Sequence, residues 1–181
     1  MSFSQRTWII LSAFALAFMA VPASHAQVNS NVATVNLNAP LAESVTVVAG
    51  PGTVNFTLVP NGSAAGSAPV TITTSWALAK TRTSVKLYAY FSSAVALTDG
   101  AGDNIPTSSV TGSVNGGAAA AFTSATAFGA NGMTVFNQAI GVGTYNSTHG
   151  PDTIALTINT TGLGLPAATY TGVLNIQAQA L

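Results

Sequence analysis

From Val70 to Leu78 the side chains alternate without a break. Val70, Ile72, Thr74, Trp76 and Leu78 fall on one side, and Thr71, Thr73, Ser75 and Ala77 on the other. A period of two puts each set on one face of an extended strand, whereas a helix would scatter both sets around its axis. The same rhythm returns along the chain. Ala33, Val35 and Leu37 alternate with Thr34 and Asn36; Val45 and Val47 begin another run; Val54, Phe56 and Leu58 alternate with Asn55 and Thr57. Val85, Leu87, Ala89 and Phe91 are set against Lys86, Tyr88 and Tyr90. Val110 to Val114, Met133 to Ile140, Ile154 to Ile158 and Gly172 to Ala178 supply the rest.

Turn residues separate these runs: Gly50-Pro51-Gly52, Pro60-Asn61-Gly62, Asp99-Gly100, Gly116-Gly117, Asn131-Gly132, Gly150-Pro151 and Gly162 to Pro166. Eight or nine short strands punctuated in this way predict an all-β fold, a two-sheet sandwich or a small barrel. The Gly/Ala-rich stretch from Gly112 to Gly132 has no clear period, and Phe122 and Phe128 are its expected tethers to the core.

Residues 1 to 26 read as a cleaved secretory signal. Arg6 precedes an apolar stretch from Trp8 to Val21, Pro22 breaks it, and Ser24-His25-Ala26 offers small residues for cleavage. Residues 27 to 181 are then expected to form one β-sandwich domain, exported to the outside or surface of a cell, most naturally a bacterial one. No later apolar run reaches the roughly 20 residues of a spanning helix. Cysteine is absent, which removes thiol chemistry and cysteine-type metal sites.

Past residue 26 only seven side chains are charged: Lys80, Arg82, Lys86, Glu43, Asp99, Asp103 and Asp152. Ordinary soluble domains are about a quarter charged. Three cations against four carboxylates make no field for nucleic acid, and the scarcity of acids and bases argues against an enzyme. No cofactor is implied. Ser147, His149 and Asp152 lie within six residues and could supply a small hydrolase, but beside Gly150-Pro151 they read as one loop. Asp99 and Asp103 flank glycines in a manner that superficially suits calcium, and a polar turn between strands explains them equally.

Two clusters remain as candidate ligand sites. Lys80, Arg82 and Lys86 crowd the turn between the two most hydrophobic strands, as a cationic patch or as charges that discourage aggregation. Tyr88 and Tyr90 share the face opposite Leu87, where they could form a stacking platform for a surface glycan, pack under the Gly112–Gly132 stretch or stabilise cross-strand neighbours.

The closing stretch Leu165-Pro166-Ala167-Ala168-Thr169-Tyr170-Thr171-Gly172-Val173-Leu174-Asn175-Ile176-Gln177-Ala178 resembles the final strand of secreted bacterial surface β-sandwiches. These are the spore-coat-protein-U-like and fimbrial-subunit-like groups, with Ala168 standing where they usually have glycine. The resemblance implies an immunoglobulin-like sandwich of antiparallel strands, displayed outside the cell in fibres or coats. It makes strand addition between subunits the expected mode of self-association, with Val28, Ala33, Val35 and Leu37 as the candidate donor positions. The favoured alternative for the same segment is that it pairs within its own domain as the first strand. A fibre, coat or adhesion subunit is thus the leading expectation, and a carbohydrate-binding module the alternative.

Overall fold

The computed structural model describes residues 30–123, 128 and 132–181. The expected signal segment and Val28 lie outside the described residues. The chain divides into two compact units, Met1–Ala39 and Pro40–Leu181. In the first, residues 30–39 form no strand despite the alternation of Ala33, Val35 and Leu37.

The second unit is all-β, with eleven strands among the described residues where eight or nine were expected: β1 (Ser44–Gly50), β2 (Ser63–Ala65), β3 (Val70–Ala77), β4 (Ser84–Tyr90), β5 (Val95–Thr98), β6 (Asn104–Pro106), β7 (Val110–Val114), β8 (Ala120–Ala121), β9 (Met133–Ala139), β10 (Asn146–Asn159) and β11 (Asn175–Ala180). One turn of 3₁₀ helix, Thr107–Ser109, leads into β7. The larger sheet runs β1-β3-β10-β7-β8, with β2 also on β10; the smaller runs β11-β4-β9, and β5 pairs with β6. Every pairing is antiparallel. Among the described residues, no helix is long and apolar enough to cross a membrane.

The two main sheets form a sandwich because their strands are two-faced. In β3 Val70, Ile72, Thr74 and Trp76 are buried, and in β4 Val85, Leu87 and Ala89 are. They meet Ile154, Leu156 and Ile158 from β10 and Val135 and Phe136 from β9 in one core. Fully burying a side chain such as Leu87 or Ile72 stabilises the fold by about 1.5–3 kcal/mol. Trp76 is held in place as well as buried, its indole N–H donating to the Thr144 carbonyl at 2.9 Å.

Phe122 is fully buried and meets Phe91 edge to face, at 5.2 Å and 80°. It tethers the Gly/Ala-rich stretch as expected. Phe128 does otherwise: its ring lies 6.1 Å from Tyr88 and is only half-buried. The run from Val54 to Leu58 is not a strand, since it makes only an isolated bridge from Phe56 to Gly66.

The region read as a Ser147-His149-Asp152 loop is the first half of the fourteen-residue strand β10. Gly150-Pro151 is a bulge inside that strand and not a turn ending it, because pairing with β3 resumes beyond it at Asp152. Gly150 adopts φ +111°, and a β-carbon there would stand 2.6 Å from the Ile72 carbonyl oxygen, so only glycine fits.

Candidate functional site

The bulge decides what the first half of β10 presents to the interior. Asp152 is 4% exposed, and its Oδ1 accepts a hydrogen bond from Asn115 Nδ2 at 2.9 Å. Asn115 Oδ1 in turn accepts the Thr153 N–H at 2.7 Å. Asn115 can fold over β10 in this way because it takes a left-handed conformation (φ 49°) at the turn between β7 and β8, which asparagine tolerates. Asp152 Oδ2 has no well-formed hydrogen bond; its neighbour is His149 Nε2 at 3.4 Å. The His149 ring lies on Phe136 of the opposite sheet, 4.1 Å between centroids. His149 pairs in register with Thr74, whose buried hydroxyl also lacks a partner.

A histidine beside a buried carboxylate is two-thirds of a nucleophilic triad. The remaining member is missing from the geometry: among the described residues, no hydrogen bond joins His149 to Ser147, which stands two positions earlier on the strand. The pair joins a buried carboxylate to a histidine whose side chain is about one-third exposed.

The candidate cations separate. Glu43 receives Arg82 through both oxygens, Nε to Oε1 at 3.2 Å and Nη2 to Oε2 at 3.0 Å, and Oε1 also accepts the Ala79 N–H at 2.7 Å. The hydrogen bond from Arg82 holds the Glu43 carboxyl below its usual range, and Glu43 raises Arg82 in return. Lys80 lies on the same turn, while Lys86 points outward from the middle of β4. Of the three, Arg82 is taken up by Glu43, while Lys80 and Lys86 have no ion pair among the described residues.

Asp99 and Asp103 do bracket a turn between two strands, β5 and β6. Asp99 Oδ1 accepts the N–H groups of Ala101, Gly102 and Asp103 at 2.8, 3.1 and 3.0 Å. These bonds, led by the one from Ala101, hold its carboxyl below the usual range. The carboxylate is thus spent on its own backbone. Among the described residues, no three or more metal-ligating side chains converge.

Tyr88 and Tyr90 share the outer face of the smaller sheet, both half-exposed. The Tyr90 hydroxyl donates to Gln177 Oε1 at 3.0 Å, and Phe128 meets Tyr88 edge-on. Single-strand alternation placed the tyrosines correctly. It could not supply Gln177, Gln179 and Phe128, which reach this face through pairing and loop placement.

One concavity is a groove of about 780 Å³ along one side of the sandwich, lined by both apolar and polar residues. The stretch Val54, Phe56 and Leu58 forms one wall, Leu174 and Ile176 the other, and Val70 part of the floor. Beside it β11 is the end strand of its sheet. The expected donor residues Ala33, Val35 and Leu37 belong to the other compact unit, where Val35 and Leu37 are more than four-fifths exposed.

Comparison of the chain with protein-family models, with curated proteins and with solved structures finds no match.

Proposed function

We propose that this chain is a non-enzymatic structural subunit of an extracellular or cell-surface assembly, built on an immunoglobulin-like sandwich and joined to its neighbours by strand addition. The observation that carries the reading is the groove beside the edge strand β11. An edge strand offers unpaired main-chain N–H and C=O groups, and the groove offers pockets for every second side chain of an added strand. The occupant that fits is the segment around Ala33, Val35 and Leu37 of a second copy, whose apolar residues already alternate. The scarcity of charge supports the same reading, because little electrostatic repulsion keeps copies apart.

The test is light scattering on the chain from residue 27 onward and on a variant lacking residues 27–38. Concentration-dependent oligomers are expected from the first and monomers from the second. A peptide spanning residues 27–38 should bind the shortened variant, and Val54→Lys should weaken that binding. Equal association by both forms, with no peptide binding, removes the strand-addition reading.

A further inference from the structure

The outer face of the smaller sheet is a second candidate site, separate from the groove and independent of the assembly proposed above. Register sets its side chains in rows. Gln179, Lys86 and Asn137 stand abreast; Gln177, Tyr88 and Thr134 form the next row; Asn175 and Tyr90 form the third. The two tyrosines are two positions apart on one strand, about 7 Å along the face. The Tyr90 hydroxyl occupies Gln177 Oε1, fixing the ring and leaving the Gln177 amide N–H groups as donors. Phe128, held at the positive φ of 61° that a bulky residue adopts only under strain, extends the aromatic strip by its contact with Tyr88.

Charge decides the class of ligand. All four side-chain carboxylates lie elsewhere: Glu43 on Arg82, Asp99 and Asp103 in the β5–β6 turn, and Asp152 inside the sandwich. Lys86 is the one charge on this face and has no ionic partner among the described residues. A nucleic acid needs several cations to neutralise its phosphates. A protein partner of standard size would need a broad apolar centre, and here the aromatic strip is only Tyr88, Tyr90 and Phe128, bordered by the Gln177, Gln179 and Asn137 amides. We infer that this face binds an acidic polysaccharide. Its sugar rings would lie on Tyr88 and Tyr90, its hydroxyls on the Gln177, Gln179 and Asn137 amides, and a uronate carboxylate on Lys86.

Calorimetric titration of the chain from residue 27 onward with penta-galacturonate, and in parallel with uncharged cellopentaose, tests this. Saturable binding of the acidic oligomer is expected, falling with added salt. Lys86→Gln, a change at a partly exposed position that removes the charge and keeps a hydrogen-bonding end, should weaken it roughly tenfold through loss of one charge-assisted bond. Tyr88→Leu should weaken it by a similar factor with the circular dichroism spectrum unchanged. No saturable binding of penta-galacturonate, equal affinity for cellopentaose, or affinity within twofold of the parent in Lys86→Gln would overturn the inference.

Discussion

Asp152 Oδ2 stands 3.4 Å from His149 Nε2, two side chains of one strand brought together across the bulge at Gly150-Pro151. The bulge slips the register so that both point inward, and Asn115 holds the other carboxylate oxygen. A buried carboxylate with this support is costly to disturb from either side.

Asp152→Ala should therefore destabilise the fold by about 2–4 kcal/mol, since it strands the Asn115 amide and leaves His149 without its partner. His149→Ala should cost less, about 1–2 kcal/mol, mainly the contact with Phe136. Urea denaturation of the two single variants and the double variant measures both. The double variant should fall short of the sum, because the residues share one interaction. Asp152→Ala within about 0.5 kcal/mol of the parent would contradict the described geometry.

Gly172→Ala is the sharpest packing test. A β-carbon at Gly172 would fall on the Ala96 carbonyl oxygen, and backbone cannot swing aside as a side chain can. The neighbouring bridge between Thr98 and Thr171, with reciprocal 2.9 Å bonds, should be lost. A cost of about 1–3 kcal/mol is expected from the forced shift. Hydrogen exchange at Thr98 and Thr171 reads the bridge directly; unchanged protection would show that the segment is not laid against Ala96.

Trp76→Phe isolates one hydrogen bond within the core. It keeps most of the apolar volume but leaves the Thr144 carbonyl without its indole donor. About 1–2 kcal/mol of destabilisation is expected, measured by thermal unfolding. No change would mean that water serves Thr144 equally well.

Acid should weaken the fold through two carboxylates, Glu43 exposed and Asp99 partly so. Glu43 and Asp99 titrate below their ordinary values of 4.5 and 3.8 when folded, so each prefers to be charged in the native state. Their stabilisation is present above those values and is lost as pH falls through the lower folded ones. Melting temperature should drop on acidification below about pH 4.5, and less steeply in Glu43→Gln. A Glu43→Gln profile parallel to the parent's would show that the pairing with Arg82 contributes nothing.

What the sequence disclosed depended on which side of each strand meets water. β3 and β4 were legible because their inward and outward residues differ in polarity. The first half of β10 was not, because Ser147, His149 and Asp152 carry polar groups into the interior and so invert the pattern. Gly150-Pro151 deepened the misreading by resembling a turn. The run from Val54 to Leu58 failed in the opposite sense. Alternation reports burial of one face, and these residues turn theirs to the groove with a single bridge, Phe56 to Gly66, in place of a strand ladder. The aromatic face was half legible: Tyr88 and Tyr90 are local, but Gln177 lies 87 residues from Tyr90 and arrives only through pairing.

Strand β10 also gives the molecule two unlike ends. Farther along it contributes Ile154, Leu156 and Ile158; around the bulge, Ser147 and the His149–Asp152 pair. Water entering at the oily end would forfeit burial outright, while at the other end it would exchange one polar partner for another. Separation of the layers therefore has a direction. It starts where Asn146 begins the strand and must climb steeply to travel toward Asn159.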